Sequence, residues 1–157
     1  MKLPFGKTAT VQASAPAPSA SKPSTRVSNK VRGQIGEDAA AKFLEANRFQ
    51  IVGRNWRPGN ALRGEIDCIA WDDAAQPRVL CFVEVKARAN NESGAAQQAV
   101  GAAKQRQISR LANAFVSIHN LPETPCRLDV IEVWLDEKGR AARCVLHRNA
   151  FDYCGEF

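Results

Sequence analysis

Acidic and basic side chains alternate in two short stretches of this sequence, Gly64-Glu65-Ile66-Asp67 and Phe82-Val83-Glu84-Val85-Lys86. In an extended strand successive side chains point to opposite faces, so Glu65 shares a face with Asp67 and Glu84 shares one with Lys86. A hairpin centred between Ala75 and Gln76 would set Asp67 opposite Glu84 and Glu65 opposite Lys86, with opposed Cβ atoms about 4.5–5.5 Å apart. Two carboxylates about 4 Å apart repel by roughly 4 kcal/mol at an effective dielectric near 20, a large part of a domain's total stability of about 5–15 kcal/mol. A hard divalent cation relieves that repulsion, and Mg2+ or Mn2+ with oxygen ligands is the natural tenant. Mg2+ commonly takes only one or two carboxylates beside water and substrate phosphate oxygens. The competing expectation is a solvated sheet face on which Glu65 pairs with Lys86 and the other acids sit in water.

Two helices must carry further charge to the same sheet. The first is expected over 29–47, capped by Ser28 or Asn29, and its apolar stripe Ala40, Ala41, Leu44 includes Glu37. Gly33 and Gly36 weaken its first turns, which predicts close packing there. The second is expected over 95–119, where Lys104 interrupts the stripe Val100, Ile108, Leu111, Phe115, and Leu121-Pro122 ends it. Strands are expected at 49–53, 65–71, 78–86, 127–135 and 142–147. The order α-β-β-β-α-β-β predicts an α/β domain with a mixed β-sheet flanked by helices.

The chain has 157 residues, with 22 Lys and Arg, 16 Asp and Glu and a formal net charge of +6. That length suits a single domain, expected over 29–157. Residues 1–28 are rich in Ala, Ser and Pro, bury too little apolar area to offset their ordering entropy, and are expected as a disordered basic tail. Lys2, Lys7, Lys22, Arg26 and Lys30 come with no acid among the first 30 residues, so the remainder is close to neutral at +1. Net charge alone therefore does not make the domain a DNA binder. The five cysteines form no C-x-x-C pair and are expected as free thiols. No apolar run reaches the roughly 18 residues of a membrane helix, and no signal-peptide pattern opens the chain, so a cytoplasmic protein without membrane contact is expected.

These residues resemble the PD-(D/E)xK nuclease superfamily in the order Glu37, Asp67, Glu84, Lys86. They are closer still to the YraN-like family of uncharacterised bacterial proteins, through Gly33-x-x-Gly36-Glu37, Asn55-x-Arg57, Gly64-Glu65-Ile66-Asp67, Phe82-Val83-Glu84-Val85-Lys86-x-Arg88, Lys104 and Arg127-x-Asp129. The resemblance implies a restriction-endonuclease-like fold, similar to Holliday-junction resolvases, and a metal-dependent endonuclease acting on structured or branched DNA. Catalytic roles then fall to Asp67, Glu84, Lys86 and Glu37. A metal would be held by Asp67, Glu84, Glu37 and the Val85 carbonyl, with Glu65 in the outer shell. Such a metal would polarise the scissile phosphate and acidify a bound water. Lys86, among carboxylates, is expected as an ammonium that orients water or stabilises the developing phosphorane. Arg57, Arg63, Arg88, Lys104, Arg106 and Arg110 are the candidates for flanking phosphates, with Arg54 a further one. Arg127 and Asp129 are expected to form a structural pair near the site. Trp56, Trp71 and Trp134 are expected in packing, and His119 and His147 receive no role. A homodimer would suit symmetric incision of a junction. The alternatives are a catalytically silent nucleic-acid-binding module with the same fold, and a scaffold protein.

Overall fold

The computed structural model describes residues 11–14, 28–59, 62–89 and 100–154. Its elements in chain order are β1 (Val11–Ser14), α1 (Asn29–Ala46), β2 (Phe49–Trp56), β3 (Ile66–Asp72), β4 (Val79–Ala89), α2 (Ala102–Ile118), β5 (Cys126–Leu135) and β6 (Ala141–His147). The strands form one mixed sheet in the order β1-β6-β5-β4-β3-β2, with β4 and β5 parallel and the other neighbours antiparallel. A parallel pair needs a crossover, and α2 supplies it.

The expected α-β-β-β-α-β-β order is present; the first helix begins and ends within a residue of its predicted limits, and the second ends within one. Ser28 is the N-cap of α1, its hydroxyl accepting from Val31 N–H at 3.4 Å. The second helix starts later than expected: Gly101, in an extended conformation, is its N-cap, so Val100 is buried just ahead of the helix rather than on it. Residues 95–99 of the predicted helix lie outside the described residues. The strand Val11–Ser14 departs from the expectation of a wholly disordered tail. Without it β6 would be the sheet edge, and a proline-free segment can satisfy the open backbone groups there. The rest of 1–27 lies outside the described residues.

Each face of the sheet has its own core. On one, α1 lays Ala40, Phe43 and Leu44 against Cys68, Ala70, Cys81, Val83, Ile131 and Val133. On the other, Ile108, Leu111 and Phe115 of α2 cover Ile69, Leu80, Phe82, Leu128 and Val130. Burying each large aliphatic or aromatic side chain contributes about 1.5–3 kcal/mol. Gly36 lets α1 approach β4, because a Cβ there would meet Ala87 Cβ at 3.0 Å. Gly33 does not serve that purpose, since nothing lies within 4 Å of its missing Cβ. Trp56 packs edge-on against Phe115, while Trp71 and Trp134 lie beneath Arg78 and Arg143, so all three tryptophans are used in packing. All five cysteines are free thiols, and burial pushes the Cys68 thiol up to about 12. No helix among the described residues is long and apolar enough to cross a membrane.

Candidate active site at a fork in the sheet

The hairpin register is the one the turn predicts. Cys68 pairs with Val83, Ala70 with Cys81 and Asp72 with Val79, and the same register extended by one residue sets Asp67 against Glu84. The ladder stops there. β3 stays with β2, where Trp56 pairs with Ile66, whereas β4 continues alongside β5 to Ala89. The two central strands therefore part at Asp67, and Val85 N–H donates to Asp67 Oδ2 at 2.8 Å instead of to a ladder carbonyl. This fork lets two carboxylates sit face to face without a full sheet between them.

Glu84 is buried, its side chain only 4% exposed, and both of its oxygens meet ammonium groups. Lys86 Nζ lies 2.9 Å from Oε1, and Lys104 Nζ lies 3.1 Å from Oε2. The second contact is an ion pair outside hydrogen-bonding geometry, so Glu84 Oε2 is buried with no hydrogen bond. Burial pushes the Asp67 carboxyl up to about 7, and the Glu84 charge pushes the same way. The Val85 N–H and Lys104 oppose that shift, while Glu37 adds to it. Glu37 is thus within electrostatic reach of Asp67, held by Asn55 Nδ2 at 2.8 Å. Among the described residues no three His, Cys, Asp or Glu side chains converge to cage a metal. Asp67 and Glu84 are the side chains that could hold a hard cation, and a buried oxygen lacking a hydrogen bond beside a carboxyl strained toward neutrality is the donor set such an ion suits.

Several expected contacts are replaced by others. Glu65 does not reach Lys86: it lies just before β3, where the strands have parted, and takes Arg57 at 2.6 Å. Arg88 binds Glu132 at 2.6 Å and is largely buried with it, so its charge is already matched inside the fold. Arg54 is held by Asp38. Arg106 and Arg110 are exposed on the side of α2 opposite the stripe Lys104, Ile108, Leu111, Phe115, so they point away from the carboxylates. Lys104, expected on a phosphate, instead holds Glu84. Arg57, Arg63 and Lys104 line an open cleft of about 490 Å3 beside the fork. Gly64 shapes it: with φ at +115° it turns the chain toward β3, and any Cβ there would collide with Gln107, whose Nε2 donates to the Arg63 carbonyl at 3.2 Å.

The Arg127–Asp129 pair forms, but at the far end of the sheet and on the α1 face. Arg127 also reaches Asp72 at 2.9 Å, joining β3 to β5. Two side chains on the fork's own face escaped sequence reasoning. Glu132 stands beside Lys86 in the parallel register and is bonded by Arg88 and by His147 Nε2 at 3.0 Å. His147, expected without a partner, therefore has one. The signal was in β5: along Leu128, Val130, Glu132, Trp134 a lone carboxylate interrupts an apolar face, as Glu84 does in β4.

A family model described as "Uncharacterised protein family UPF0102" matches residues 36–133, a span that holds Glu37, Asp67, Glu84, Lys86, Lys104 and Glu132. A UPF0102 protein of Symbiobacterium thermophilum is 45% identical over 119 residues, covering 76% of this chain and 94% of that protein. One from Lachnoclostridium phytofermentans is 40% identical over 130 residues, covering 82% and 99%. One from Moorella thermoacetica is 38% identical over 120 residues, covering 76% and 94%.

Proposed function

The chain belongs to the UPF0102 family of uncharacterised proteins, and from that premise we propose that it is a metal-dependent endonuclease with a restriction-endonuclease-like fold, cutting phosphodiester bonds in structured or branched DNA in the manner of Holliday-junction resolvases. The observation that carries this reading is the pairing of Asp67 and Glu84 across the fork, one with its carboxyl raised to about 7 and the other with a buried oxygen lacking a hydrogen bond, between Lys86 and Lys104. A binding surface for polyanions gains nothing from two carboxylates at its centre. A hydrolytic site that recruits a cation does.

Mg2+ or Mn2+ would be held by Asp67 and Glu84 with the Val85 carbonyl, Glu37 would orient its waters from outside the ligand set, and the ion when bound would supply Lewis-acid polarisation of the phosphate and acidification of water. Lys86, carried on the same strand face as Glu84, orients the attacking water and stabilises charge that develops on the phosphoryl oxygens. Lys104 approaches from α2 and matches the charge of Glu84 before substrate arrives. Arg57, on the loop ahead of β3, receives a neighbouring phosphate, and Arg63 beside it faces the bound strand from the same cleft.

The test is a panel of branched, linear and single-stranded DNA and RNA with Mg2+, Mn2+ or EDTA. Cutting is expected only with metal, and Lys86→Ala is expected to slow it by roughly 100- to 1,000-fold while leaving Mn2+ binding intact. Cutting unaffected by Asp67→Ala and Lys86→Ala would defeat the assignment. Binding without any cutting would favour a catalytically silent nucleic-acid-binding module.

A further inference from the structure

The cleft beside the fork has a chemistry that the hydrolytic site does not use up. It lies between the loop leading into β3 and the first turns of α2, and its walls include Arg57, Leu62, Arg63, Glu65, Lys104 and Gln107. Three cations face one carboxylate there. Leu62 is 39% exposed, an apolar side chain left open in a charged surround. Arg63 is exposed and makes no ion pair among the described residues. Gln107 spends its amide N–H on the Arg63 carbonyl, and its own amide carbonyl accepts no hydrogen bond among the described residues.

A phosphate alone would explain the cations but neither the exposed leucine nor the open amide. A duplex is too broad for a recess of about 490 Å3, and its bases hide their flat faces in the stack. An unpaired base offers what the remaining wall groups recognise: a π-face for the Arg63 guanidinium plane and Leu62, and an edge for the Gln107 amide. The cleft also adjoins the fork directly, since Lys104 belongs to both and Glu65 lies two residues before Asp67.

Resting on the nuclease reading for its polynucleotide ligand, we propose that this cleft holds one unpaired nucleotide next to the phosphate presented to Asp67 and Glu84, so that the substrate is a strand with an unstacked nucleotide at a flap, gap or branch rather than continuous duplex. DNA and RNA share that chemistry, and the cleft itself does not choose between them.

The experiment uses the full chain in EDTA, so that capture is read apart from cutting. Oligonucleotides carry 2-aminopurine either as the single unpaired nucleotide of a flap or within a blunt duplex, as DNA and as RNA. The flap is expected to bind roughly tenfold or more tightly than the duplex, with a change in 2-aminopurine fluorescence, and Leu62→Ala and Arg63→Ala are each expected to bring the two affinities together. Equal affinities for flap and duplex, or a preference indifferent to both substitutions, would overturn the proposal. Parallel incubations with Mg2+ separate the two ideas: cutting of flap and duplex alike removes the cleft proposal and leaves the nuclease, whereas base capture without cutting keeps the cleft and removes the nuclease.

Discussion

Val85 gives its backbone N–H to Asp67 Oδ2 at 2.8 Å, and with that bond a side chain takes over where the β3–β4 ladder leaves off. The bond fixes the carboxyl at the mouth of the fork and holds it beside Glu84. It also stabilises the charged form of Asp67, yet burial and the neighbouring carboxylate outweigh it, and the group stays raised to about 7. A carboxyl poised there can be ionised by an arriving cation at neutral pH, which a deeply buried neutral acid could not.

That balance sets a pH dependence of opposite sign with and without metal. In the unfolded chain Asp67 ionises near its ordinary value of 3.8, whereas in the folded, metal-free protein it ionises near 7. The folded state therefore binds more protons between those values, and this contribution to stability falls as pH rises from about 4 to 7 and is level above it. Thermal melts in EDTA should show a higher Tm at pH 5 than at pH 8 from this group, and Asp67→Asn should flatten that slope. Calorimetric Mn2+ titrations should show affinity rising through pH 7 with proton release. An EDTA melting slope identical in wild type and Asp67→Asn would refute the shift.

Glu84 should be essential to metal affinity but only moderately so to folding. Removing one partner of a buried ion pair costs about 3–5 kcal/mol, but Lys86 and Lys104 are about one-third exposed and can turn to water. Glu84→Gln keeps the volume and is expected to cost about 1–2 kcal/mol. Loss of supporting partners alone weakens metal sites by about 10- to 100-fold, so loss of a direct ligand should weaken Mn2+ binding at least tenfold. Equilibrium denaturation and Mn2+ titration of the one variant check both halves.

The sequence exposed the centre of the site and concealed its surroundings. Alternation along β3 and β4 plus the position of one turn located Asp67 and Glu84, because a period of two and a register are local properties of the chain. Glu65 went astray because its predicted partner required the ladder to run on, and the splaying of β3 toward β2 is a tertiary event. Arg88 met Glu132 across strands joined by a crossover, a pairing no spacing along the chain encodes, whereas His147 meets it diagonally within the β5–β6 hairpin, whose register puts Val130 and not Glu132 directly opposite. The edge strand Val11–Ser14 escaped for a similar reason, since it owes its conformation to β6 and not to its own composition.

Gly33 and Gly36 separate propensity from packing on one helix. Alanine at 33 meets nothing within 4 Å, so Gly33→Ala should stabilise by about 0.5–1 kcal/mol through chain entropy. Alanine at 36 would press on Ala87 Cβ at 3.0 Å and push α1 from β4, with an expected net cost of about 1–3 kcal/mol. Opposite signs in urea denaturation midpoints are the readout, and two changes of the same sign would contradict the packing assigned to Gly36.

Arg127 should matter to stability more than to the fork. It bridges Asp72 and Asp129, both fully buried, so Arg127→Ala leaves two carboxylates with little compensation. Arg148, 3.6 Å from Asp72, and the Asn149 N–H on Asp129 soften the loss without replacing the guanidinium. The expected cost is about 3–5 kcal/mol, a Tm lower by roughly 10 °C or more. Burial already raises the Asp129 carboxyl against the pull of Arg127, and without that guanidinium it should rise further. As pH falls from neutrality the variant should thus recover part of the deficit, as the orphaned acid accepts a proton. Asp129→Asn added to Arg127→Ala should restore stability at pH 7 in the same direction, and a double variant no more stable than the single one would show that the ion pair is not what the arginine contributes.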